Sequence, residues 1–176
     1  MNPQPTEARS LGSLIGQIAA ELGDAGTGDL AELRRLKPED PGGPAFWRIV
    51  VIRLDPELPA GGEIRETALR RWAVILRAVA ELNGLHNPGR RFGAALAEAG
   101  VSELRLNKLL RASGESLFDQ VRTVTHQLAT AAAPVDLTGL ARLVMSDGQP
   151  HEQAVRQTVA NDYYAVVFHN QSKEQA

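Results

Sequence analysis

The sequence predicts an all-α protein of two small helical bundles joined by a short linker. Apolar residues recur at three- and four-residue intervals almost throughout the chain. Gly, Pro and Asn-Gly signals punctuate these repeats at helix-length intervals. The 176 residues are 43% apolar, with heavy use of Leu and Ala, enough to bury a core in one domain or two small ones.

The first element is "LGSLIGQIAAEL", which sets Leu11, Leu14, Ile15, Ile18 and Leu22 on one stripe. "GDLAELRRL" repeats the pattern with Leu30, Leu33 and Leu36, has Asp29 near its start and stops at Lys37-Pro38. "GGPAFWRIVVIRL" has a strand-like β-branched run, but its length and neighbours favour a buried helix ending before Asp55-Pro56. The most strongly patterned segment is "EIRETALRRWAVILRAVAELNG", with Leu69, Trp72, Leu76 and Val79 inward and Asn83-Gly84 as its stop. "LHNPGRR" reads as a linker and sets the boundary between residues 1–87 and 88–176. Five further helical segments follow, from "FGAALAEAG" to "HEQAVRQTVANDYYAVVFHN", with Ser102 as an N-cap and Asp136 preceding a helix start. Internal repeats and low-complexity blocks are not evident.

Composition excludes several classes of function. With no cysteine, the chain has no disulfide framework and no thiolate metal or redox chemistry, which suits the cytoplasm. The N-terminus is not patterned as a signal peptide, and no run reaches the roughly 20 apolar residues of a membrane span, so a soluble protein is expected. His86, His126, His151 and His169 have no histidine partner at i,i+4, and "HEQAV" lacks the second His of a zinc-protease helix, so no metal site is expected. "GDAGTGDL" follows a helix rather than a strand and lacks the Lys-Ser/Thr of a phosphate loop; it reads as a turn. No nucleophile elbow or catalytic carboxylate pair is evident, and no cofactor is implied. The expectation is a non-enzyme.

Charge is more informative. The net charge of −2 conceals a basic middle: residues 65–122 hold ten Lys/Arg against six Asp/Glu. "SELRLNKLLR" places Arg105, Lys108 and Arg111 at every third residue. Arg34, Arg105, Lys108 and Arg142 have no acid three or four residues away, and Arg111 has only Glu115. Arg70, Arg77, Arg35 and Arg122 have local acids at Glu66, Glu81, Glu32 and Asp119, and read as self-neutralised surface charge. Arg105 and Lys108 are therefore the leading candidates for holding a polyanion, with Arg142 behind them; an ordinary solvated helix face is the competing reading.

"FGAALAEAGVSELRLNKLLR" also has a helix-turn-helix outline, with Ser102, Glu103, Arg105 and Lys108 towards a major groove, so a DNA-binding transcriptional regulator is an alternative. A helical adaptor contacting acidic protein is a third reading. Phe46, Trp47 and Trp72 are expected in the core, as is one ring of the Tyr163-Tyr164 pair, leaving the other for a partner surface.

The order of "GDLAELRRL", "FWRIV", "RFGAALAEAGVSELRLNKLLRA", "VDLTGLARLVMS" and "VRQTVANDYY" resembles the CasB family, the small subunit of the type I-E CRISPR surveillance complex Cascade. The likeness runs from about Gly28 to Tyr164, and "SELRLNKLLRA" and the final Asp-Tyr-Tyr are its specific parts. Val159, Ala160 and Asn161 stand where the family often has Trp-Ala-Arg. The resemblance implies a non-catalytic, two-domain helical subunit, present with a second copy of itself among the other Cascade subunits and guide RNA. Its basic face would stabilise the R-loop on target DNA, including the displaced strand. Carried onto this sequence, the nucleic-acid-binding residues are Arg34, Arg35, Arg105, Lys108 and Arg111, with Arg142 added. Arg35 would have to exchange its Glu32 contact for phosphate.

Overall fold

Apolar periodicity becomes nine α-helices in the computed structural model, which describes residues 10–174; no strand occurs among them. Helix α1 (Leu11–Gly23) begins where the Ser10 hydroxyl accepts from the Ser13 amide at 3.2 Å, and it buries Leu14, Ile15, Ile18 and Leu22. Helix α2 (Thr27–Leu33) buries Leu30 and Leu33, and the turn that follows buries Leu36.

Helix α3 (Pro44–Ile49) starts at Gly43, whose φ of +101° needs a residue without a Cβ. The Glu32 carboxylate accepts from the Ala45 amide at 2.7 Å and reaches the Phe46 amide, occupying orphan donors of this helix end. The chain then widens into a π-helical turn (Val50–Leu54) and tightens into a 3-10 turn (Asp55–Glu57). The expected buried helix ending before Asp55-Pro56 is thus corrected in two respects. Helical winding continues through Pro56, which sits in the first turn of the 3-10 segment, where no N–H is required. Only one face is inward: Phe46, Ile49, Val50 and Leu54 are buried, whereas Trp47, Val51 and Ile52 are 44%, 69% and 57% exposed. Trp47 therefore leaves the expected core list.

Helix α4 (Gly62–Glu81) is the centre of the molecule, touching α1, α2, α7 and α8. From Trp72 to Ala80 it is buried almost all round, more than the single stripe its period predicts, because helices cover it on several sides. It ends at Leu82, and Gly84 turns the chain with a φ of +82°. The segment after it is tied to the strand-like loop before α8: the Val135 amide donates to the Leu85 carbonyl and the Asn87 amide to the Val135 carbonyl, each at 2.9 Å. His86 Nδ1 accepts from the Leu137 amide at 3.3 Å. Buried side chains on both sides of this segment belong to one continuous cluster.

Helices α5 (Phe92–Glu98), α6 (Glu103–Arg111), α7 (Gly114–Thr130), α8 (Leu137–Ser146) and α9 (Glu152–Glu174) complete the chain. Ser102 and Asp136 cap α6 and α8 as expected, accepting from the Arg105 and Thr138 amides at 3.3 and 2.9 Å. The α5–α9 crossing is so close that a Cβ on Gly93 would lie 2.1 Å from the Val159 carbonyl oxygen. Arg156 of α9 is nearly buried. It donates to the Leu110 and Ala112 carbonyls at the end of α6, contacts Glu152 and lies 3.6 Å from Asp147. Asp147 in turn accepts from the Gly114 amide at 2.9 Å, so one charged cluster joins α6, α7, α8 and α9. No helix among the described residues is long and apolar enough to cross a membrane.

Candidate nucleic-acid interface

A cation serves an outside anion only if no internal carboxylate cancels it. Among the described residues, Arg34, Arg35, Lys37, Arg77, Arg105, Lys108, Arg111 and Arg142 form no ion pair. Several of the remaining arginines are bound across helices rather than along them. Arg70 pairs with Glu115 at 2.7 Å and donates to the Pro38 carbonyl, not to its helix neighbour Glu66. That contact removes Glu115 from Arg111.

The expected Arg35–Glu32 and Arg77–Glu81 pairs are also corrected. Glu32 is drawn to the amides opening α3, and Glu81 lies 3.1 Å from His126 Nδ1. Arg77 instead donates to the Leu36 carbonyl at 3.2 Å. Arg35 therefore has no Glu32 contact to surrender. The Arg122–Asp119 pair is present at 3.2 Å.

These displacements gather charge into one groove. A cleft of about 530 Å³ opens between the turn after α2, helix α4 and helix α7, lined by Arg34, Arg35, Lys37, Arg77 and Arg122. A second depression of about 680 Å³ continues it past Arg77, Glu81 and Arg122 to Arg105 and His126. Along both, six cations face three carboxylates, Glu39, Glu81 and Asp119. Neutral acceptors orient several of the cations without cancelling them. Arg34 Nε donates to the Ala80 carbonyl at 3.0 Å, at the C-terminal end of α4, and Arg105 Nη1 donates to Gln127 Oε1 at 2.6 Å. Gln127 is itself held by the Ala99 carbonyl at 3.2 Å. Such a groove has unpaired donors, a polar rim and no metal-binding cluster of three or more His, Asp or Glu among the described residues.

The sequence-predicted residues separate into three places. Arg34, Arg35 and Arg105 share the groove. Lys108 and Arg111 line a shallower depression of about 380 Å³ on the other flank of α6, with Asn107, Ser116 and Gln120 and no acid. Arg142 lies apart, on a cleft between α5, α8 and α9. Lys37, Arg77 and Arg122 were not among the sequence candidates. A local acid masked Arg77 and Arg122; for Lys37 the signal was its own place, one residue beyond a buried Leu36.

The helix-turn-helix outline is present as a chain path, with Gly100 at φ +73° between α5 and α6. Its packing is different: α5 lies chiefly against α9 and α8, and α6 against α7 and α9. Tyr163 of α9 is 4% exposed, and its hydroxyl donates to the Val101 carbonyl at 2.6 Å, inside this turn. Burial, then the Glu103 carboxylate and Tyr164, push its pKa above the usual 10.0. Tyr164 is half-buried and donates to Glu103 at 3.3 Å; desolvation and that carboxylate raise its pKa too. The outer ring stacks on exposed Phe168, 5.8 Å between centroids.

The chain is similar in fold to CasB from Thermobifida fusca, at a TM-score of 0.70 and 19% identity, over 87% of this chain and 97% of that one. It is also similar to a chain in a crystal structure of E. coli Cascade bound to a PAM-containing double-stranded DNA target, at a TM-score of 0.60 and 23% identity, over 86% and 97% of the two chains. No curated protein matches by sequence. The family model described as CRISPR-associated protein Cse2 matches residues 29–164, which contain the α2 turn, α4, α6 and α7 that build the groove. The chain therefore belongs to the CRISPR-associated Cse2 family, also called CasB.

Proposed function

We propose that this chain is the non-catalytic small subunit of a type I-E Cascade complex, acting in the cytoplasm to stabilise the R-loop through phosphate contacts. The observation that carries the reading is the groove from Arg34, Arg35 and Lys37 past Arg77 and Arg122 to Arg105, in which most cations lack a carboxylate partner. Lys108 and Arg111 extend the basic surface over the far flank of α6. R-loop formation exchanges one duplex for another of similar stability, so a few backbone contacts suffice to tip it. A net charge of −2 fits a subunit that meets nucleic acid inside an assembly, where high effective concentration replaces intrinsic affinity. The partners are the other Cascade subunits, guide RNA, target DNA with its displaced strand, and a second copy of the subunit.

The test is the R-loop lifetime on a reconstituted complex. Arg35→Glu with Lys37→Glu, and separately Arg105→Glu with Lys108→Glu, should each shorten it by about tenfold while leaving subunit incorporation and thermal stability unchanged. Unaltered lifetimes with both pairs would remove the groove from the interface.

A further inference from the structure

Seven of the nine residues in "FWRIVVIRL" are apolar, and a helix apolar all round is normally covered all round. This one is covered on one side. Phe46, Ile49, Val50 and Leu54 enter the core, while Trp47, Val51 and Ile52 stay on the surface, the two aliphatic residues more than half exposed. Winding gathers the three. In a regular α-helix, at 100° per residue, Ile52 would stand about 140° around the axis from Trp47. The π turn bonds the Asp55 amide to the Val50 carbonyl, five residues back, and its wider winding closes part of that angle. Val51, one turn beyond Trp47, completes a single apolar face.

The charges beside this face exclude a polyanion. Both arginines of the segment are engaged within the chain: Arg48 pairs with Asp29 at 2.7 Å and Arg53 pairs with Glu21. Asp55 is likewise held by Arg65 at 2.7 Å. A phosphate backbone or an anionic membrane surface draws its affinity from free cations, and here each is neutralised. An uncharged apolar surface gives up nothing to such a rim, and it gains from covering an indole and two branched side chains. None of the three residues lines the groove.

Size narrows the occupant further. Three partly exposed side chains offer on the order of 300 Å². A self-standing interface needs roughly 800 Å² from each partner. The face therefore suits a chain already held by other contacts, inside an assembly. Residues 1–9, "MNPQPTEAR", carry one large apolar side chain, Met1, so the complement belongs to another protein. We propose that Trp47, Val51 and Ile52 dock against an uncharged apolar patch of a neighbouring Cascade subunit, seating the chain while its groove stays open to nucleic acid. The proposal rests on the reading of this chain as a Cascade subunit.

The experiment reconstitutes the complex with the full chain and measures how much of it co-elutes with the guide RNA and the other subunits. Val51→Asp with Ile52→Asp should weaken incorporation at least about tenfold, from the apolar burial lost. Val51→Leu with Ile52→Leu keeps the face apolar and should incorporate as the wild type does. Both positions are exposed, and Asp is close to Val and Ile in helix propensity, so the free Asp variant should melt at the wild-type temperature. Full incorporation of the Asp variant, or equal loss in the Leu variant, overturns the proposal. So does a free wild-type dimer, seen by sedimentation and dispersed by the Asp variant, which would give the face to a second copy. A wild-type chain that never enters the complex removes the subunit reading, and this proposal with it.

Discussion

Gly93 and Val159 meet without a side chain between them: a Cβ at residue 93 would fall 2.1 Å from the Val159 carbonyl oxygen. Backbone atoms on both sides of such a contact cannot rotate away, so the helices must separate. Gly93→Ala should cost about 2 kcal/mol, within the range of overpacked cores, and urea denaturation measures it. Gly28→Ala, where nothing lies within 4 Å of the new methyl, should leave stability level or slightly improved.

Arg156 is the second structural pivot. Its side chain is 11% exposed and stands between Glu152, Asp147 and two carbonyls that close α6. Arg156→Leu removes one partner and leaves a buried carboxylate uncompensated, so a loss of about 3 kcal/mol is expected. Thermal unfolding should report it, and amide exchange should rise first around Leu110 and Ala112.

Tyr163 and Tyr164 are the only tyrosines of the chain, so alkaline tyrosinate absorbance reads them alone. Both pKa values are raised, by burial first and by Glu103 next. A raised folded-state pKa means that the stabilisation is complete below 10.0, the unfolded value, and is lost as pH climbs through the folded value. Native protein should therefore titrate later than urea-unfolded protein, and stability should fall as pH rises from 10.0 through the native transition. Glu103→Gln removes the nearby carboxylate and should move both transitions earlier.

Salt dependence separates phosphate contact from general charge. If Arg35 and Lys37 each neutralise one phosphate of a single strand, Arg35→Ala with Lys37→Ala should flatten the log–log salt slope of binding by about 1.4, from ~0.7 for each contact. Glu39→Lys in the same groove should steepen it. Arg48→Ala, already paired with Asp29 at 2.7 Å, should leave it as it was.

Much of the fold was legible because helix period and capping are local. Ser102, Asp136 and Gly84 are fixed by residues within a few positions, and the buried stripes of α1 and α2 follow from spacing alone. The π turn after α3 was not legible, since no local residue announces it and one exposed face carries Trp47, Val51 and Ile52. Arg105 could be nominated from its lack of local acids. The groove around it could not, because Glu32, Glu81 and Glu115 choose partners on other elements: the α3 amides, His126 and Arg70. Counting neighbours along one helix is blind to those choices, and Arg77 was set aside for that reason, whereas Arg122 was set aside on a pair with Asp119 that the structure keeps.

The chain carries three lysines, at positions 37, 108 and 173. Lys37 stands on the groove, and Lys108 on the far flank of α6. Because arginine supplies nearly all the remaining positive charge, an amine-reactive label is in effect a two-channel reporter of this molecule. Mild acylation before and after assembly, read by peptide mass, would register cover of the groove at one lysine and cover of the α6 flank at the other. Lys173, near the end of α9, serves as an internal reference.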